Sequence, residues 1–231
     1  AGDLNISGST VGIAVTQAAG GSGVATATIT NSGKIRQVGT GRAIRNNSGA
    51  VAIGITNNSG ATISSVGDDT IQVSVPGSTF TLDNSGTISA TSNRAVNLRD
   101  AGANTINNLA GGVLKSAGGD AVRPGINGII NNHGTIQATL PDATPTTENN
   151  VDGNDGIQAD ITSGLPVNNV VVTNFDSGKI SGRHGITGSA GAAVGADFTI
   201  TVNNNLNATL TGINGSGINI DNTANAMGNA V

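Results

Sequence analysis

The chain has 231 residues, a formal charge of −4, no cysteine, and an aromatic content of only 1%. Without cysteine there are no disulfides or thiolate metal sites, and without a cluster of Lys or Arg there is no basic surface for nucleic acid. No run of 18 apolar residues occurs, so no membrane span is predicted in this segment. The core must be aliphatic, and we expect no nucleic-acid partner.

Residues 1–24 predict a degenerate first coil of a repeat. Leu4, Ile6, Ile13 and Val15 alternate with other residues as they would in short strands. The regular pattern begins at about residue 25 and extends to about residue 221. The whole of 1–231 is therefore predicted to form a single domain.

The first regular copy of the repeat unit is Ile29 to Ile35, which reads I-T-N-S-G-K-I. Related segments follow along nearly the whole chain, and the spacings between their anchoring asparagines are 26, 27, 24, 24, 42 and 30 residues. Repeats of this size predict a solenoid. The anchors are Asn31, Asn57, Asn84, Asn108, Asn132, Asn174 and Asn204.

Each period contains three short runs with strand patterning. The first ends in the I-x-N unit, the second starts at Gly-x-Ile, and the third follows a polar loop, as in Ala95 to Asn97. Alternation of apolar and polar residues favours strands, and helical spacing is nowhere sustained. The predicted fold is all-β, a parallel β-helix of seven to eight coils with three short parallel sheets.

The anchoring asparagines are predicted to be structural. An Asn at the same turn of every coil can bond the inward-facing main chain and its neighbours above and below, forming an Asn ladder. The nearby glycine allows a close approach of main chains that a Cβ would obstruct. No catalytic residue is assigned to this set.

Two segments depart from the repeat. Residues 141–155, which include two prolines and several carboxylates, predict one long loop protruding from a coil. Residues 222–231 fade into small polar residues and predict an open C-terminal end that stacks on a neighbour or continues a longer solenoid.

A column of charged residues precedes the third strand of each coil. Because coils stack about 4.8 Å apart, alternating signs predict a surface ion-pair ladder. The alternative is an acid and base cluster of the kind polysaccharide lyases carry on a β-helix. The column comprises Arg42, Asp69, Arg94, Asp120 and Asp155, and the alternative cluster comprises Asp68, Asp69, Asp120, Arg94 and Arg123.

Calcium is the only cofactor for which the sequence contains candidate ligands. Asp152, Asn154 and Asp155 place hard oxygen ligands together on a glycine-rich stretch. The spacing of an EF-hand and its distal Glu are missing, so a solvated turn without any cofactor is the favoured interpretation. Neither histidine belongs to a metal-binding motif.

The turns such as Asn84 to Ile88, the Gly-x-Ala-Ile or Gly-Ile strands that follow them, the scarcity of aromatics and the missing cysteine resemble passenger domains of bacterial autotransporters and related secreted β-helical adhesins. The resemblance covers about residues 25–221. It implies a right-handed helix located outside the cell or on the bacterial outer surface, acting in adhesion, self-association or biofilm formation. The expected partner is a second copy, stacked end to end or laterally, or a ligand on a host or bacterial surface.

Two other functions are considered. A polysaccharide-degrading lyase or hydrolase would use the Asp and Arg cluster, although such enzymes usually stack sugar rings on aromatics, which are scarce here. An ice- or surface-binding protein would need a regular outward array of threonines. The residue between Ile and Asn in the repeat is Thr30 and Thr56 in two coils but Asp83 in the next, so the array is irregular.

Overall fold

A computed structural model of the chain describes residues 2–17, 23–139, 154–160, 167–189 and 197–221. Within these ranges the protein is all-β and contains no helix, so none is available to cross a membrane. The loop predicted at 141–155 lies outside them except for its last two residues, and the predicted end at 222–231 lies wholly outside.

The described strands, numbered β1 to β23 in chain order, form three parallel sheets, which confirms the predicted solenoid. Every third strand belongs to the same sheet. Sheet A contains β1 (Asp3–Ile6), β4 (Lys34–Gln37), β7 (Thr62–Ser65), β10 (Thr87–Ala90), β13 (Val113–Ser116), β16 (Thr135–Ala138), β19 (Lys179–Gly182) and β22 (Thr209–Gly212). Sheet B contains β2 (Ile13–Thr16), β5 (Ile44–Ser48), β8 (Ile71–Gln72), β11 (Val96–Asn97), β14 (Val122–Arg123), β17 (Ile157–Asp160), β20 (Ile186–Ser189) and β23 (Ile218–Asp221). Sheet C contains β3 (Ala25–Asn31), β6 (Val51–Asn57), β9 (Thr79–Asn84), β12 (Thr105–Asn108), β15 (Ile129–Asn132), β18 (Val167–Asn174) and β21 (Asp197–Asn204).

The sheets keep one register from coil to coil. In sheet C, Ile55 pairs with Ile29 on one side and with Leu82 on the other. Successive side chains of a strand point to opposite faces, so equivalent residues stack in continuous inward and outward columns. The burial of β6 alternates strictly, with Val51, Ile53 and Ile55 inside.

The core is a set of aliphatic columns with one aromatic side chain among its described members. Ile63 and Ile88 in sheet A, and Ile71 and Val96 in sheet B, are completely buried. Phe80 is 1% exposed and pairs with Ile53 of the preceding coil. Burying one such side chain is worth about 1.5–3 kcal/mol, so the repeated aliphatic residues hold the coils together without aromatics.

Residues 1–24 contribute strands to the same sheets. β1 pairs with β4 and β2 pairs with β5, both in parallel. The pairing of β2 and β5 contains a register shift at Val15 and Thr16. The shift places Asn47 of β5 opposite no residue of β2, and residues 18–22 lie outside the described ranges.

The turns that connect sheet C to sheet A have two lengths. Between the Asn that ends the sheet C strand and the next strand, the successive turns contain 2, 4, 2, 4, 2, 4 and 4 residues. The short turns end in a glycine because main chains meet there. A Cβ on Gly134 would lie 2.7 Å from the carbonyl oxygen of Leu109, in the coil below.

Candidate functional site

The anchoring asparagines form the predicted ladder. Each Nδ2 donates to the Oδ1 of the equivalent residue in the next coil, from Asn31 to Asn57 at 2.9 Å and onward at 2.8 Å at every step to Asn204. The step from Asn132 to Asn174 spans 42 residues of sequence at the same distance as the others. The ladder is therefore continuous through the long insertion.

Most ladder asparagines also bind the turn that follows them. Asn108 Nδ2 lies 3.2 Å from the carbonyl oxygens of both Gly112 and Thr135, in its own and the next coil. Asn108 is completely buried, as are Asn57 and Asn84. Buried amides with filled hydrogen-bond positions stabilise a fold but have no free atom for chemistry.

The charged column is assembled, but it differs from the predicted surface ladder in two respects. Asp69, Asp120 and Asp155 are buried, at 3%, 7% and 2% exposure, rather than on the surface. Arg42 pairs with Asp68 at 2.8 Å and not with Asp69. The sequence could not reveal this burial because the residues lie in polar loops without strand alternation.

The Asp and Arg residues of the alternative cluster do lie together at the start of sheet B. Arg94 lies 3.9 Å from Asp69 and 3.3 Å from Asp120, and Arg123 lies 3.4 Å from Asp120. Both oxygens of Asp69 are occupied: Oδ1 accepts from the main-chain N–H of Arg94 at 3.1 Å, and Oδ2 from Asn97 at 2.7 Å. These donors occupy both carboxylate oxygens of Asp69.

This column has a second role that the sequence did not predict. The Oδ1 of one residue accepts a hydrogen bond from the main-chain N–H of its equivalent one coil on, as between Asp120 and Asp155 at 3.1 Å. Asp155 binds His184 in the same way at 3.1 Å. His184 continues the series, because its Nδ1 accepts from the main-chain N–H of Ser216 at 2.8 Å. Asp69, Asp120, Asp155 and His184 thus each bind the main chain of the next coil.

The proposed calcium ligands are only partly described. Asp152 lies outside the described residues, and Asn154 donates to the carbonyl oxygen of Thr139 at 3.3 Å. The carboxylate of Asp155 pairs with Arg183 at 3.3 Å and accepts from the Thr187 hydroxyl at 2.7 Å. Calcium would have to displace these donors. Within the described ranges, no group of three or more His, Cys, Asp or Glu side chains is placed to bind a metal.

The outward faces of the solenoid differ in charge. Sheet C exposes threonine, asparagine, small apolar residues and one large apolar residue, Ile129, and Asp83 is the one charged side chain among those described on this face. The same face carries a second ladder, in which Asn107 donates to Asp83 at 2.7 Å and Asn131 donates to Asn107 at 2.9 Å. The outward face of sheet A carries five charges, Asp3, Lys34, Arg36, Lys115 and Lys179.

No protein-family model, curated protein or solved structure matches the chain significantly. The described surfaces and side-chain clusters are therefore the basis for the function proposed below.

Proposed function

We propose that the protein is an extracellular structural and interaction protein, an adhesin-like β-helix that works by lateral self-association at a cell surface or after secretion. One observation carries the proposal: among the side chains that the structure describes, the long outward face of sheet C is mostly polar and has a single charge, Asp83. Two copies can approach through such a face without charge repulsion, and side-chain amides and hydroxyls can bond across it.

The area of the outward face of sheet C determines how strongly two copies are expected to associate. Seven strands at about 4.8 Å spacing extend about 29 Å, and the outward residues span about 13 Å across the strands. Two such faces bury about 800 Å² in total, which is below the size of most stable complexes. Association is therefore expected to be weak for one pair and to depend on concentration.

Sedimentation velocity of the purified chain over a wide concentration range tests the proposal. A sedimentation coefficient that rises with concentration supports self-association through a face of the solenoid. A coefficient that stays constant, as for an elongated monomer, contradicts it.

The second candidate is a polysaccharide-degrading enzyme, favoured by the assembly of Asp69, Asp120 and Arg94 at one corner. The main objection is that the carboxylate oxygens are already bonded to main-chain and side-chain donors. A screen of the chain against soluble glycans tests it. Turnover that is lost in Asp69→Ala or Asp120→Ala would replace the structural proposal with the enzymatic one.

A further inference from the structure

A groove of about 370 Å³ crosses the corner between sheets C and A. Its origin is the alternation of turn length, because the two-residue turn 133–134 lies between the four-residue turns 109–112 and 175–178. The long turns project on both sides of the short one. The groove is thus built into the main chain, and its lining includes Gly111, His133, Asp176 and Lys179.

His133, which lines the groove, belongs to the one aromatic stack found among the described residues. The rings of His133 and Phe175 lie 4.2 Å apart and 4° from parallel. His133 remains exposed although Phe175 covers one face of its ring. In a chain with 1% aromatic residues, a flat ring presented in a groove is an uncommon feature of its surface.

Polar groups surround this ring and are free to bind. Asp176 and Lys179 are exposed, and neither side chain makes an ion pair or hydrogen bond within the described ranges. The hydroxyls of Thr135 and Ser177 also line the groove. A flat ring beside a carboxylate, an ammonium and hydroxyls provides an apolar platform with both hydrogen-bond acceptors and donors.

We propose that this groove binds a sugar unit of a glycan, with the apolar face of the pyranose ring against the exposed part of the His133 ring and its hydroxyls bonded to Asp176 and Lys179. A pyranose presents one face of C–H groups and a rim of hydroxyls that both donate and accept, which matches this combination. The open groove fits an internal or terminal residue of a longer chain. The proposal deepens the proposed interaction role by naming a ligand class, and it assigns no reaction.

The signals of the two histidines can be used to follow binding of a sugar to the groove. It contains only two histidines, and His184 lies in a different turn, where its Nδ1 accepts from Ser216. The full chain with labelled histidine is titrated with methyl β-glucoside and methyl β-galactoside to tens of millimolar, since few contacts predict millimolar dissociation constants. We expect a saturable shift of the His133 ring signals with either glycoside, while the His184 signals stay in place.

Three variants test the groove. Two of them introduce the residue that another coil has at the same position, and the third preserves the shape of the side chain. His133→Ser introduces the residue found at Ser32 and Ser85, and should reduce saturation-transfer signals of the bound glycoside at least tenfold. Asp176→Asn should reduce them several-fold. Lys115→Ser, with Ser89 as its counterpart one coil earlier, changes a charge outside the groove and should leave them unchanged.

Two results would overturn the proposal: His133 signals that do not move with either glycoside, or equal saturation transfer in His133→Ser and the parent chain. Sedimentation of the His133→Ser variant separates this proposal from the previous one. Self-association that persists without sugar binding contradicts only the groove, whereas sugar binding without self-association contradicts only the proposed role of sheet C.

Discussion

The carboxylate of Asp120 accepts a hydrogen bond of 3.1 Å from the main-chain N–H of Asp155, which lies 35 residues further along the chain. The long segment between them therefore leaves the stacking of coils undisturbed. The same bond recurs one coil later between Asp155 and His184. Polar side chains thus contribute to the pairing of coils alongside the main-chain ladders.

Because the Asn ladder is buried, replacing one of its residues should cost much more stability than replacing the adjacent residue of the same strand. Asn108→Ala removes a buried amide that binds Asn132, Gly112 and Thr135, and it leaves Asn132 Oδ1 and Asn84 Nδ2 without their partner in the ladder. The free energy of unfolding should fall by about 2–4 kcal/mol. Asn107→Ala, on the partly exposed ladder of the same strand, should cost less than about 1 kcal/mol. Urea unfolding measures both, and equal losses would contradict a special role for the inner ladder.

Breaking a buried ion pair should lower the free energy of unfolding more than breaking an exposed one. Asp155→Ala removes the acceptor of the Thr187 hydroxyl and of the His184 main-chain N–H and breaks the ion pair with Arg183, so we expect a loss of about 2–3 kcal/mol. Asp3→Ala breaks a pair with Lys34 whose side chains are about half exposed, and should cost about 0–1 kcal/mol. The comparison uses thermal or urea unfolding, and a cost for Asp3→Ala that equals that of Asp155→Ala would count against the role of burial.

Two glycine-to-alanine substitutions together test how closely the coils pack. A Cβ on Gly134 would meet main-chain oxygen at less than van der Waals distance, so Gly134→Ala should destabilise by about 2 kcal/mol or more. Nothing lies within 4 Å of a Cβ on Gly54, in the middle of β6. Gly54→Ala should therefore stabilise by about 0.5–1 kcal/mol. Destabilisation by both substitutions would show that the coil spacing described here is wrong.

Much of the fold could be predicted from the sequence because its signals are periodic. The bounds of β3, β6 and β9 coincide with the apolar alternation from Ala25, Val51 and Thr79. All the anchoring asparagines were predicted as a ladder because they recur with the period of the repeat, and the hydrogen bonds between them confirm it.

The parts that could not be predicted depend on contacts between coils at positions without periodicity. The burial of Asp69 and the bond from Ser216 to His184 arise in loops where side chains of different types occupy one column. The groove at His133 results from unequal turn lengths in three successive coils. The turn lengths are visible in the sequence, and comparing them coil by coil could have located the groove.

The most direct test of the proposed self-association places charge on one face at a time. Thr28→Lys with Asn131→Lys adds two positive charges to sheet C, and Ser64→Lys with Thr211→Lys adds the same charge to sheet A. In sedimentation velocity the parent chain and the sheet A variant should both show a coefficient that rises with concentration, while the sheet C variant should remain a monomer. A parent chain that stays monomeric, or a sheet C variant that associates as the parent does, would contradict the account.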